Sequence, residues 1–352
     1  MLDHNNLPAI PPIDKATIDG ARSRQDRLTK PQGSLGRLED LSIRIAGMTG
    51  QCPPSTAALD NAGIFVFAAD HGVARRGVSA YPPEVTAQMV LNYARGGAVI
   101  NSLARQMNAK LTVTDVGVDF DFPVDLPINH RKIRKSTRDW STEPAMTTDE
   151  VAAALSVGYE AVASVDGLGL VVIGEMGIGN TATAAALASA LLGIPAADIT
   201  GRGTGVEGEA LVNKKRIVAE AVAKLPKDLP AIDVLTRIGG FEIAAMAGAV
   251  IAAGERRIPV VVDGFISSCA ALVADRLAPG VRDYLIASHR SQEAGHAAIL
   301  DALGLQPLLD LGMRLGEGSG GALAIPIVRA AVNVLANVAT FDEAGVSDRE
   351  AS

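Results

Sequence analysis

From Gly63 onward, short β-branched apolar runs alternate with long alanine-rich segments, which predicts strands and helices in βαβ order and hence a parallel sheet. The runs place strands over 64–69, 111–116, 168–173 and 258–262, and two more near 284–287 and 308–315 bring the sheet to about six. Helices are predicted over 83–107, 149–165 and 292–303, and a last one over 322–339 is free to return onto the start of the chain. Before Gly63 nothing reads as a strong strand. Segments 13–28 and 35–48 read as helices around a Lys30-Pro31-Gln32-Gly33 break, the second with Leu35, Leu38, Leu41 and Ile45 on one face. Thr147-Thr148-Asp149-Glu150 ahead of an alanine-rich run is a capping box, which fixes the start of the helix there. The polar, proline-punctuated stretch 119–146 is too long for an ordinary connection, so it is either a functional flap or an excursion over the surface.

This is the α/β class, with a helical subdomain over the first sixty residues. Five apolar runs end in a carboxylate beside or near glycine: Asp70, Asp115, Glu175, Asp263 and Glu317. In open α/β sheets ligands bind at the carboxyl ends of the strands, where glycine lets a ligand approach the backbone, so these ends point to a site.

Composition narrows the class. At 352 residues the chain exceeds a single usual core, and an aromatic content of 3% in an Ala-, Gly-, Val- and Leu-rich background suits helices packed tightly on a parallel sheet. A net charge of −7 argues against a nucleic-acid surface, and the one basic cluster, 130–138, reads as a solvated loop. Cys52 and Cys269 suggest neither a disulfide framework nor a metal site. The first twelve residues are unlike a secretion signal, and no uninterrupted apolar stretch is long enough for a bilayer, so a cytoplasmic protein is expected.

Gly177, Gly179 and Ala182 form a G-x-G-x-x-A match between a predicted strand and helix, the context for phosphate at a helix N-terminus. Asp198 lies at the distance of a ribose carboxylate but not clearly at a second strand end, so a phosphate or sugar site is favoured over a dinucleotide fold. Gly201 to Gly205 and Gly318 to Gly321 are further glycine-rich loops able to form anion-binding concavities, with Lys214, Lys215 and Arg216 near in sequence. Ser291 reads either as the N-cap of the following helix or as a phosphate contact. Asp70 and His71, with Asp115, Asp263 and His289 as distant partners, match no metal spacing and read as hydrogen-bonding residues of a site's rim. His296 reads as packed or on the surface. If 309–317 is extended, Leu309, Leu311, Met313 and Leu315 share a face with Glu317 and place its carboxylate at an apolar edge. There, partial desolvation makes it a better base. The alternative is a salt bridge from Glu317 to Arg314 or Arg290.

Asp70-His71-Gly72-Val73 with Gly77-Val78-Ser79, GEMGIGNT over 174–181, the 201–205 loop, Val262-Asp263-Gly264-Phe265, Ser288-His289, RLGEGSGG over 314–321 and Thr29 to Gly36 together resemble the nicotinate-nucleotide:dimethylbenzimidazole phosphoribosyltransferase family. The resemblance covers nearly the whole chain. It implies a Rossmann-like domain over 61–321, a small helical domain from 1–60 plus 322–352, and a homodimer. It implies transfer of ribose phosphate from nicotinate mononucleotide to dimethylbenzimidazole, with Glu317 as the base and neither metal nor cofactor. Donor binding falls to Glu175, Gly177, Asn180, Thr181, Gly203, Thr204, Gly205, Lys214, Asp263, Ser291 and Gly320. Acceptor-base binding falls to Ser79, Tyr81, Gln88, Met176 and Leu315.

Overall fold

The computed structural model describes residues 7–347, so the expectations placed on the first few and last few residues lie partly outside the described part. In chain order the helices are α1 (Lys15–Arg27), α2 (Arg37–Thr49), α3 (Thr56–Asp60), α4 (Val85–Ala94), α5 (Val99–Gln106), α6 (Thr148–Ala163), α7 (Asn180–Leu192), α8 (Ala196–Ile199), α9 (Gly208–Ala223), α10 (Ala231–Ile238), α11 (Phe241–Glu255), α12 (Phe265–Leu277), α13 (His296–Leu303), α14 (Ser319–Asn337) and α15 (Phe341–Ala344). The strands are β1 (Ala62–Ala69), β2 (Lys110–Gly117), β3 (Asn129–His130), β4 (Leu170–Met176), β5 (Val260–Val262) and β6 (Leu285–Ala287).

All neighbouring strands pair in parallel, in the order β3-β2-β1-β4-β5-β6. This is the Rossmann order, whose switch point lies between β1 and β4, where the crossovers change direction and leave a crevice at the strands' carboxyl ends. Both sheet faces are covered, and strand side chains alternate between them. Phe65, Phe67, Val171, Ile173, Val260 and Val262 join α6, α7 and α9 to α13 in one core, whereas Ile64, Val66, Leu170, Val172 and Val261 join α2 to α5 and α14 in the other.

The Thr147 capping box is formed: Thr147 Oγ1 accepts from Glu150 N and the Glu150 carboxylate from Thr147 N. The helix expected over 83–107 is two, because Gly96 takes a left-handed φ of 76° and Gly97 sits against the Asn92 side chain. Segment 308–315 is not a strand. It makes only an isolated bridge, Leu309 with His289, and left-handed Gly312 interrupts it. The sixth strand is β3 instead, inside the 119–146 excursion, and that excursion is ordered along the β2 edge. There, Arg131 N donates to the Asp115 carbonyl and Ile133 N to the Val116 carbonyl, and farther on Thr137 N donates to the Asp70 carbonyl and Ala145 N to the Arg237 carbonyl. Its basic residues are paired with acids, Lys132 with Asp115 and Arg138 with Glu150 among them, and none lines the crevice described below. A surface excursion, not a flap, is what these contacts describe. The 292–303 helix starts only at His296, so Gly295 rather than Ser291 precedes it.

Helix α14 packs on both the sheet and α2, and Leu335 near its end meets Ala21, Ile43 and Ala46 of the two opening helices. Among the described residues it alone has the length and apolarity to cross a membrane, a feature that reading for uninterrupted apolar stretches missed. Its apolarity has another cause, since one face is buried in the core.

Candidate active site

A cavity of about 480 Å³, within the size range of small-ligand sites, opens at the carboxyl end of β4 beside the switch point, with residues that follow β5 and β6 in its wall. Its walls are largely apolar at one end, where Tyr81, Val85 and Met89 face Met176, Ile178 and Leu315. Glu317 lies at the base of this end. Its backbone is left-handed (φ 63°) between left-handed Gly316 and Gly318, an uncommon conformation for a residue bearing a side chain. Three such residues turn the chain so that the carboxylate is carried inward. Glu317 is 6% exposed, and its Oε2 accepts from Ile100 N at 3.4 Å. Burial raises its pKa above the usual carboxylate range, against the lowering effect of the Ile100 amide and the Tyr93 hydroxyl. Tyr93 is itself buried, and its hydroxyl has no geometric hydrogen-bond partner among the described residues.

The extended alternation expected to place Leu309, Leu311, Met313 and Leu315 on one face with Glu317 does not occur. Gly312 and Gly316 break it, and Leu311 is left 62% exposed. Leu315 reaches the cavity wall by another path, and neither alternative salt bridge forms, since Arg290 pairs with Asp310.

Glu175 ends β4 beside Glu317. Its carboxylate accepts from Asn180 Nδ2, and burial, reinforced by the charges of Glu242 and Asp263, pushes its pKa up to about 8. A Cβ on Gly316 would stand 2.4 Å from Glu175 Oε1, so glycine at 316 is what lets the two acidic segments meet. Asp263 follows β5, and both of its oxygens are occupied by backbone: Oδ1 accepts from Gly320 N (2.7 Å) and Gly321 N (3.0 Å), and Oδ2 from Gly318 N (3.1 Å). A carboxylate capping a helix N-terminus offsets its charge against the helix dipole, and here it ties the loop bearing Glu317 to β5. Burial lifts the Asp263 pKa to about 6 despite those amides.

The other end of the cavity is polar. Asn180 and Thr181 open α7 after left-handed Gly179, and Gly203, Thr204, Gly264 and Ser291 stand opposite. Lys214 is fully buried behind this wall, with Nζ donating to Thr181 Oγ1 at 2.9 Å. Burial lowers its pKa to about 8, against the pull of Glu293. Ser291 N donates to His296 Nδ1, so His296 carries its proton on Nε2, toward Ser268 Oγ, and burial holds its pKa down at about 3. His296 is therefore a packed, neutral residue that holds the Ser291 backbone.

Of the residues named from sequence, the structure gathers Glu317, Glu175, Gly177, Asn180, Thr181, Gly203, Thr204, Asp263, Ser291, Tyr81, Met176 and Leu315 around one cavity. Gly205, Lys214, Gly320, Ser79 and Gln88 do not line it. Gly320 spends its amide on Asp263, Ser79 Oγ bonds Thr204 Oγ1 at 3.0 Å and so braces the wall from behind, and Gln88 is exposed on the outer face of α4. Asp115 accepts from the Gly117 and Val118 amides and pairs with Lys132, a structural set. Asp70 holds Asp119 N, and His71 lies beneath the site rather than on its rim, between Glu242 Oε1 (2.6 Å) and Thr183 Oγ1 (2.9 Å). Among the described residues no three His, Cys, Asp or Glu side chains converge as a metal set.

Sequence reasoning missed Glu242, Val85, Met89 and Tyr93. Glu242 had a legible signal: it is the one charge within the long apolar run of α11. The α4 residues had only helical spacing, shared with many core positions.

A phosphoribosyltransferase family model matches residues 10–346. A nicotinate-nucleotide–dimethylbenzimidazole phosphoribosyltransferase from Chloroflexus aggregans is 51% identical over 346 residues, spanning 97% of each chain. One from Roseiflexus castenholzii is 49% identical over 350 residues, spanning 98% of each. The crystal structure of CobT from Thermus thermophilus superposes with a TM-score of 0.91 at 46% identity, over 95% of this chain and all of that one. With likeness this high in both sequence and fold, the chain belongs to the nicotinate-nucleotide:dimethylbenzimidazole phosphoribosyltransferase family.

Proposed function

We propose that the protein transfers the 5-phosphoribosyl group of nicotinate mononucleotide to 5,6-dimethylbenzimidazole, giving α-ribazole 5'-phosphate and nicotinate, in assembly of the cobalamin nucleotide loop. The observation that carries this reading is the partition of one cavity. A buried carboxylate lines a cavity together with the apolar side chains of Val85, Met89, Met176, Ile178 and Leu315, and a glycine-rich polar set at a helix N-terminus lines the same cavity.

In this reading one acceptor nitrogen attacks the anomeric carbon while its other nitrogen gives its proton to Glu317. The bond to the pyridinium breaks with its electron pair passing to the ring nitrogen, which neutralises the ring and releases nicotinate. Burial raises the pKa of Glu317, which makes it a better proton acceptor than an exposed carboxylate. Glu175, whose pKa is pushed up to about 8 and which is therefore mostly protonated at neutral pH, holds a ribose hydroxyl beside the sugar carbon. Gly203, Thr204, Thr181 and Ser291 receive the phosphate at the N-terminus of α7, with Lys214 as the counter-charge behind them. Asp263 acts through the backbone, by holding the 316–321 loop in place. The two chain ends form a small helical unit, and the protein works as a cytoplasmic homodimer.

Incubation with nicotinate mononucleotide and dimethylbenzimidazole, followed by chromatography, tests the reaction. Free nicotinate and a ribosylated base are expected in equal amounts. Binding of the nucleotide with no release of nicotinate in the presence of the base would leave a nucleotide sensor instead.

A further inference from the structure

We infer that His289 is a sugar-reading residue, whose Nε2 accepts a hydrogen bond from a ribose hydroxyl of the nucleotide donor; this rests on the transfer reaction proposed above. His289 stands in the cavity wall immediately after β6 and is almost wholly buried. Its ring is fixed from one side. Ser288 Oγ lies 3.0 Å from Nδ1 and donates to the Asp263 carbonyl at 2.9 Å. A carbonyl only accepts, so the single hydroxyl hydrogen is spent there and Ser288 Oγ meets Nδ1 as an acceptor. Asp263 Oδ1, 3.8 Å from Nδ1, favours a proton at the same place. Nδ1 therefore carries the hydrogen, and in the neutral ring Nε2 is left with a bare lone pair.

Among the described residues no group hydrogen-bonds Nε2. It borders Gly264, whose built Cβ would stand 3.7 Å from Nε2 and 3.5 Å from Cε1, and Gly264 and Ser291 are cavity walls. Gly320 packs close to the Nδ1 side of the ring, where a Cβ would fall 2.0 Å from Nδ1. Burial lowers the His289 pKa, which keeps the ring neutral. A buried lone pair suits a hydroxyl donor and repels a phosphate dianion. Of the donor's polar groups, only the ribose hydroxyls can give the hydrogen.

The test compares kcat/KM for nicotinate mononucleotide with its 2'-deoxy and 3'-deoxy analogues in the wild type, His289→Asn and His289→Gln. The wild type is expected to disfavour the analogue lacking the contacted hydroxyl by about 10- to 100-fold, the usual penalty for a buried polar group left unpaired. Comparing ratios between enzymes cancels the intrinsic reactivity of deoxy sugars. His289→Asn, which has no atom at the Nε2 position, should lose most of that discrimination. His289→Gln, whose amide oxygen reaches it, should keep most. Calorimetric Kd values for the same nucleotides give the ratio without turnover, so an enzyme that binds but does not transfer sinks the reaction proposal and still tests this one. If His289→Asn fails to fold, Ser288→Ala takes its place: with the acceptor for Nδ1–H removed, discrimination should fall while the imidazole remains. Unchanged ribose-to-deoxyribose ratios in folded variants overturn the inference. So does a loss confined to binding of inorganic phosphate.

Discussion

Glu317 is held by conformation as much as by contact. Its left-handed backbone is a strained state for a side-chain-bearing residue, tolerated where surrounding structure enforces it, and here Asp263 and the flanking glycines do so. Its neighbour Glu175 gives the clearest pH prediction. The folded-state pKa is raised from the ordinary 4.5 to about 8, so across that window the native state holds a proton the unfolded state has lost. Stability from this group is complete below pH 4.5 and is lost as pH rises through 8. Urea titrations of the ligand-free protein should therefore show stability falling across that range, and Glu175→Gln should flatten the slope and raise stability at its alkaline end. An unchanged slope in Glu175→Gln would contradict the placement. Beneath the site, His71 is the only described partner of the fully buried Glu242, whose second oxygen has none. His71→Ala leaves that buried carboxyl without a partner and should cost about 1–3 kcal/mol or more, measured by denaturant unfolding. A loss below about 1 kcal/mol would mean that Glu242 finds another partner.

Among the elements, α6 and α11 cross closely because each offers a glycine to the other's backbone. A Cβ on Gly158 would stand 1.6 Å from the Ala245 carbonyl oxygen, and one on Gly248 would stand 2.0 Å from that of Leu155. Gly158→Val should force the helices apart and destabilise by about 1–3 kcal/mol, visible as a lowered Tm with catalytic constants largely retained in the folded fraction. A Tm unchanged from wild type would show that the crossing has slack. What the sequence revealed at this scale follows from physics that is local. β1 and β4 were legible because continuous apolar runs are what a strand buried on both faces requires, and α6 because its capping box is written in four residues. β3 was not, because two exposed residues carry no periodicity and their pairing is decided by the β2 edge. The 308–315 run misled because alternation implies a strand only if the backbone stays extended, and the left-handed glycines within and after it forbid that. The site was legible where a residue type is demanded by its place, as with Glu317 and the 201–205 loop. It was obscure where only helical spacing marks a residue, as with Val85, Met89 and Tyr93 of α4.

For the whole molecule, the strand order sets the position of the site. The switch between β1 and β4 leaves the crevice, and β5 and the loop before α14 close one side of it through Asp263. Both chain ends meet at α14, which packs at once on the sheet, on α2 and on Ala21 of α1. The proposed homodimer is checked by sedimentation velocity. The particle should have twice the mass of the chain at micromolar concentration, and a monomer there would refute it. The proposed base is Glu317, and the most direct test is the turnover of Glu317→Gln with nicotinate mononucleotide and dimethylbenzimidazole, both saturating. kcat should fall by about 10²- to 10⁴-fold, the usual share of a general base, with circular dichroism and Tm like those of the wild type. Near-normal kcat in that folded variant would contradict the account.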